Sequence, residues 1–302
     1  MDITILLLPL ISFVIAIFTA QAGISGAFLL LPFQVSVLGF VSPAVSSTNL
    51  VYNIIAIPSG VYRYFREGRV AWPLALVIIL GTLPGVFIGA IVRITYLPDP
   101  KVFKLFVGIV LLYLGLRLIY SLFRQDSKLK EIEDKFKIRI QEIKHQQKKK
   151  VASGIPPEAV VRVKEFHLSK ISYEFWGEEF SFSVIYLFFL SFVVGIIGGA
   201  YGIGGGAIIA PFLVAVFGLP AYTIAGSTLF ATFVTSIIGV VYYSSLGFPP
   251  NWTIGVMIGA GGFFGMYFGA RFQKYMPERI IRVILGMLII LLSLNYISKY
   301  FY

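Results

Sequence analysis

The chain is a succession of apolar runs separated by short polar or glycine-bearing joints, and the runs fall into two matching sets. The first set covers residues 3–20, 27–39, 44–65, 71–92 and 101–123, and the second covers 181–199, 204–219, 222–246, 252–271 and 279–299. Most have the length a helix needs to cross a bilayer. The run 27–39 is too short to cross comfortably and is separated from the run before it only by Gln21 to Gly26, the pattern of a broken or re-entrant element. The first run begins after Asp2 rather than after a basic segment, and its counterpart lies in mid-chain, so it reads as a permanent helix and not as a cleaved signal.

Sliding the sequence by 179 positions superimposes the two sets: Gly23 falls on Gly202, Ile24 on Ile203, Gly26 on Gly205, Pro32 on Pro211, Leu50 on Leu229 and Gly60 on Gly239. The chain is a duplicated unit. Five crossings per unit, an odd number, would force the two copies to lie inverted in the membrane. Loop charge agrees, because Arg63, Arg66 and Arg69 follow the third segment of the first half while the equivalent loop, Ser244 to Asn251, carries no charge. The next loop reverses the emphasis, with Arg271, Lys274, Arg279 and Arg282 against Arg93, Lys101 and Lys104, as the positive-inside rule predicts for inverted copies. Lys101 and Lys104 are discordant. The expected fold is an all-α polytopic membrane protein of two inverted repeats, 1–123 and 181–302, each of about five helical segments with broken or re-entrant helices at the glycine motifs. Residues 124–180 and the two Arg-bearing loops are expected in the cytoplasm, with both termini outside.

Composition narrows the class. With 58% hydrophobic and 13% charged residues and a mean hydropathy of +0.87, the chain is far more apolar than a soluble domain. It has no Cys, and both histidines, His145 and His167, lie in the middle stretch. Of its charged residues, 13 basic and 10 acidic ones fall between Arg124 and Phe180. The acids elsewhere, Asp2, Glu67, Asp99 and Glu278, all stand near expected ends or loops. The net charge of +11 flanks apolar spans, where orientation and lipid headgroups account for it. No basic-aromatic reading face accompanies it, so nucleic acid is not an expected partner.

In the middle region, Leu129, Ile132, Phe136, Ile140 and Ile143 recur at helical spacing beside Glu131–Lys135 and Glu133–Lys137 pairs, which predicts an exposed amphipathic helix. Beyond Ser153 to Pro157, the loose alternation of Val161, Val163, Ile171, Tyr173 and Phe175 fits a short hairpin or an interfacial segment. The region reads as a cytoplasmic connector, or else as a regulatory or oligomerising helix.

Two kinds of stretch could carry chemistry. Gly198, Gly199, Gly202, Gly204, Gly205 and Gly206 weaken helix within nine residues, and an unwound turn at membrane depth survives only against protein or a wet cavity. A helix resuming near Gly205 would offer free amides and the positive end of its dipole, which favour anions. The same holds more weakly for Gly23 to Gly26, where Ser25 adds a hydroxyl. Close helix packing is the competing reading, and it is preferred for Gly85, Gly89, Gly265 and Gly269. The second kind is a polar patch at the head of the third segment of each half: Ser46, Ser47, Thr48 and Asn49, against Gly226, Ser227 and Thr228. These residues either cap their helices or line a path. Asn53 and Thr232, one turn further on, extend each patch into a stripe, and Gln21 and Tyr201 precede the breaks. Arg117, the one cation well inside a span, is expected to snorkel. The apolar runs offer no set of Asp, Glu, His or Cys for a metal, and no nucleophile with a base.

The stretch GIIGGAYGIGGGAIIAPFLVAVFGLPAYTIAGSTL at 195–229 resembles the signature of the sulfite exporter TauE/SafE family, in which a G-x-G-G-G turn leads to a Pro and then to a G-[ST]-[ST]-L element, here Gly226, Ser227, Thr228 and Leu229. AGISGAFLLLPF at 22–33 is similar but worn, with Ser47-Thr48-Asn49-Leu50 as the later element. The likeness covers both membrane halves and leaves out 124–180, a larger insertion than the resemblance leads one to expect. It implies a cell-membrane transporter, without cofactor, of small sulfur-containing or organic anions such as sulfite, sulfonate or thiosulfate. Its site is expected where the repeats meet, from Gln21, Gly23, Ser25, Gly26, Ser47, Thr48, Asn49, Asn53, Tyr201, Gly202, Gly204, Gly205, Gly206, Ser227 and Thr228, with small anions and membrane lipids as its partners. The rival reading is a membrane-bound enzyme or assembly factor that docks a partner through 124–180.

Overall fold

A computed structural model describes residues 3–21, 24–123, 160–167, 169–175, 177–272 and 278–301. In chain order the described elements are α1 (Ile3–Gln21), α2 (Ala27–Ser36), α3 (Ala44–Arg66), α4 (Trp72–Thr95), α5 (Pro100–Phe123), β1 (Arg162–Phe166), β2 (Lys170–Phe175) and β3 (Glu178–Ser183). They continue with α6 (Val184–Tyr201), α7 (Gly206–Phe217), α8 (Ala221–Ser245), α9 (Trp252–Phe272) and α10 (Glu278–Phe301). The ten helices start and stop within a few residues of the ten apolar runs. Among the described residues five helices are long and apolar enough to cross a membrane: α4, α5 through Tyr120, α6, α8 from Thr223, and α9. Large apolar side chains such as Leu80, Phe189, Val241 and Leu291 are more than half exposed on outward faces, where acyl chains would meet them.

Helices α2 and α7, of 10 and 12 residues, reach only about half the ~30 Å hydrocarbon thickness. They are the short elements that follow the glycine breaks. Pro32 and Pro211 lie inside them.

The expectation of an all-helical chain is corrected by a three-stranded antiparallel sheet, order β1-β2-β3, with Ile171 opposite Phe182 and Tyr173 opposite Phe180. Ile171, Tyr173, Phe175, Phe180 and Phe182 form its buried face. The Tyr173 hydroxyl lies 2.8 Å from Thr223 Oγ1 at the start of α8, and burial pushes that phenol up from its ordinary value, keeping it neutral. The boundary expected at 180/181 falls inside β3, and α6 begins at Val184. The expected amphipathic helix over 129–143 lies outside the described residues.

The helices pack reciprocally. α1 lies on α9 and α6 on α4, while α3 contacts α8 and α5 contacts α10. Each pair thus joins positions that are equivalent, or exchanged, between the two halves. Glycines allow the first two contacts: a Cβ on Gly85 would stand 2.8 Å from Ile196 N, and one on Gly269 would stand 2.6 Å from Ile17 O. The packing reading of Gly85, Gly89, Gly265 and Gly269 is the one the structure follows. Helices α3 and α8 run antiparallel. Ser47 and Thr48 at the start of α3 bond Phe248 O and Asn251 N beyond the end of α8, whereas Gly226 near the start of α8 faces Tyr64 near the end of α3.

Two charged features near helix ends are buried rather than solvated. Glu67 is buried between Arg63 at 2.8 Å and Arg69 at 2.5 Å, and Arg69 lies over the Tyr64 ring at 4.7 Å. The Gly68 carbonyl of the same turn accepts the Val161 N–H at 3.0 Å, which ties this end of the bundle to the sheet. Removing one partner from a buried ion cluster leaves charge uncompensated, so Glu67→Ala is expected to cost about 3 kcal/mol in a detergent unfolding titration. A loss under about 1 kcal/mol would show that the cluster is solvated. Arg93, counted above as a loop cation, lies within α4, fully buried, and donates to Val41 O at 2.9 Å and to Leu97 O over the Phe103 ring.

Candidate functional site

Helix α6 stops at Tyr201, and Gly202 and Gly204 take left-handed backbone, φ 82° and 74°, before α7 resumes at Gly206. No side chain caps α7, so its first amides lack the intrahelical partner that later ones have. The first half breaks in the same place. α1 ends at Gln21 and α2 begins at Ala27, whose N–H donates to Ser25 Oγ at 3.2 Å. Gly23 and the Gln21 side chain lie outside what is described.

The stripe on α3 is what joins the two breaks. The Ser46 hydroxyl donates to Ala200 O at 3.2 Å, Asn49 Nδ2 to Gly202 O at 2.9 Å, and Asn53 Nδ2 to Ile203 O at 2.9 Å. Three polar side chains along one helix face thereby bond three carbonyls at the break, one in the last turn of α6 and two just beyond it. Toward the first break, Asn49 Nδ2 also reaches Ala27 O at 2.9 Å, and Asn53 Oδ1 accepts the Ser25 hydroxyl. Asn53 Nδ2 lies 3.0 Å from Ser236 Oγ on α8 as well, and Gln34 Nε2 lies 3.0 Å from Asn49 Oδ1. Tyr201 closes the group with its hydroxyl on Phe28 O at 2.8 Å. All these side chains are fully buried.

On α8 the hydroxyls turn inward on their own helix, Thr228 to Ile224 O at 3.0 Å and Thr232 to Thr228 O at 2.8 Å. Their helix presses on the second break. A Cβ on Gly206 would fall against Thr228 O and 2.5 Å from Thr232 Oγ1, and one on Gly204 would lie 2.9 Å from Thr232 Cγ2. Gly205 packs on Thr82 and Gly202 on Ser46, while a Cβ on Gly26 would stand 2.5 Å from the Tyr52 hydroxyl.

Ser25, Gly26, Asn49, Asn53, Tyr201, Gly202, Gly204, Gly205, Gly206 and Thr228 thus come together. Ser47, Thr48 and Ser227 do not. Ser47 and Thr48 hold the α8–α9 connection, and Ser227 Oγ accepts Ala71 N–H at 2.9 Å before α4. Nor do the patches cap their helices, whose N-cap positions are Pro43 and Pro220. Sequence reasoning passed over Ser236, Gln34 and Thr82. Ser236 continues the Thr228–Thr232 spacing by one more turn, and Gln34 is an isolated amide in an apolar run, so both carried a readable signal. Thr82 carried none. Beside the breaks, Ile24 and Ile203, which are equivalent in the repeat, line an apolar cavity of about 10 Å³ with Phe28, Ile208 and Pro211. That is room for one water-sized body or a methyl group. Among the described residues no three metal-ligating side chains stand together.

Comparison with curated proteins and with solved structures finds no match. The family model for sulfite exporter TauE/SafE matches residues 8–296, the two broken helices included, and the chain therefore belongs to that family of membrane-integral transporters, which are not enzymes.

Proposed function

We propose that this transporter moves small sulfur-containing or organic anions, of the sulfite, sulfonate or thiosulfate class, outward across the cell membrane from a site between the two glycine breaks. The observation that carries the reading is the meeting of both breaks on the Asn49–Asn53 stripe of α3, next to the uncapped start of α7. Amides at such a start, and the dipole behind them, favour a negative solute, and no buried carboxylate opposes it there. The neighbouring cavity is lined by apolar residues and suits the carbon part of an organic anion better than a hydrated inorganic one. An inside-negative potential supplies about 2.3 kcal/mol per charge per 100 mV for outward movement without a proton relay. We further read the halves as inverted repeats, supported by the antiparallel run of α3 against α8 and by the loop charges. The two halves would rock about the site to alternate access.

The test is flux in proteoliposomes loaded with sulfite or methanesulfonate, for the wild-type chain and for Gly204→Leu and Thr228→Val. The expectation is anion flux in the wild type and a loss of at least about tenfold in both variants. Unchanged flux in both would remove the site from the breaks, and absence of any anion flux from the wild type would remove the substrate class.

A further inference from the structure

Between the sheet and the ends of α6 and α7 lies a groove of about 830 Å³. One side presents Lys170 with Ser169, Ser181 and Ser183, the other presents Phe212 and Val216 of α7, and among the described residues no carboxylate lines it. Phe212 is the wall it shares with the interior. The guanidinium of Arg117 sits over the Phe212 ring at 5.0 Å, and Tyr113 stacks on the same ring at 5.7 Å. On the far side, Pro211 lines the small cavity together with Leu114 and Leu118, which flank Arg117 on α5, and that cavity reaches Ile24 and Ile203 in the two breaks.

Arg117 is half-buried, with part of its guanidinium withdrawn from solvent. Its Nε and Nη2 are buried from solvent with no hydrogen-bond partner, and no acid pairs with it among the described residues. Buried guanidinium donors without acceptors are costly, and a passing oxyanion would satisfy them in the fork geometry that arginine offers. We propose that the groove is the vestibule on the sheet side of the transport path, and that Arg117 is the cationic station between the groove and the glycine breaks, with Phe212 as the ring that must swing aside. Lys170 gathers anions at the mouth. Arg117 passes them to the α7 amides. The inference rests on the anion-transport reading above and adds to it the route and the residue that selects for charge.

The absence of cysteine makes the test direct. In proteoliposomes, Arg117→Gln is expected to raise KM for methanesulfonate about tenfold with kcat within about threefold, while Arg117→Lys, which keeps the charge, falls between it and wild type. The Arg117→Gln melting temperature should hold, because the substitution breaks no hydrogen bond or ion pair among the described residues. A purely structural arginine would instead lower the melting temperature and leave KM alone. Ser183→Cys, labelled to completion with a bulky anionic thiosulfonate, should lose more than half its flux. Wild-type KM in Arg117→Gln, or full flux in the labelled Ser183→Cys chain, overturns the route while leaving anion transport standing, and the groove is then a seat for lipid. A wild-type chain that moves no anion overturns both and is recognised before any variant is made.

Discussion

Gly202→Ala is expected to destabilise the protein by at least about 3 kcal/mol and to abolish transport, whereas Gly218→Ala costs about 1 kcal/mol and leaves transport intact. Both glycines hold left-handed backbone, with φ of 82° and 63°, so the conformational penalty of a side chain is nearly shared. They differ in what surrounds them. A Cβ on Gly218 would meet nothing within 4 Å, while one on Gly202 would overlap Ser46, 2.5 Å from its carbonyl oxygen and 2.7 Å from its Cβ. Two of the obstructing atoms are backbone, inside α3, and cannot rotate away. Relief would require α3 to separate from the second break, which would also lengthen the Asn49 bond to Gly202 O and the Asn53 bond to Ile203 O. Denaturant unfolding in detergent, read for both variants beside proteoliposome flux, checks the contrast. Equal losses at the two positions would mean that only φ matters and that the helix contact is loose.

The helical part of the fold was legible because the apolar runs carry few charges, most of them near run ends, and are repeated, so that one half checked the other. The sheet was legible only as a loose alternation. Its strands are five or six residues long and carry charged residues on the face opposite Ile171, Tyr173 and Phe175, a signal that an interfacial coil also gives. Arg93 was misplaced for a related reason. It stands near the end of an apolar run, where charge ordinarily marks a loop, and the carbonyls of Val41 and Leu97 with the Phe103 ring, brought near by folding, make its burial tolerable.

Within the site, helical geometry divides the candidates that meet from those that do not. Ser46, Asn49 and Asn53 recur at three and four residues and share one face of α3, as Thr228, Thr232 and Ser236 do on α8. Ser47, Thr48 and Ser227 are adjacent in sequence but point elsewhere around the helix. Grouping by neighbourhood in the chain gathered all of them, and grouping by face would have separated them. What no face count reveals is the use of the stripe: α3 spends its amides on the carbonyls of another helix's break. The polarity that lowers its hydropathy is the polarity that lets α6 open.

Asn53 concentrates that role, and its replacement is the second large effect. One side chain bonds the Ser25 hydroxyl at the first break, Ile203 O at the second and Ser236 on α8, with all three side chains fully buried. Asn53→Leu keeps the volume and removes every one of these bonds. The two serines can turn to carbonyls of their own chain segments, but Ile203 O has no such recourse, so the expected loss is about 2–4 kcal/mol. Asn53→Asp separates stability from transport more sharply. Its carboxylate can still accept from Ser25 and Ser236, yet it cannot donate to Ile203 O, and it places a negative charge where the anion is proposed to sit. Transport should fall more than about a hundredfold in Asn53→Asp, further than in Asn53→Leu, because repulsion adds to the lost bond. If Asn53→Asp instead carries methanesulfonate at the wild-type rate, the path does not pass between the breaks, and Asn53 serves only to hold two interrupted helices together.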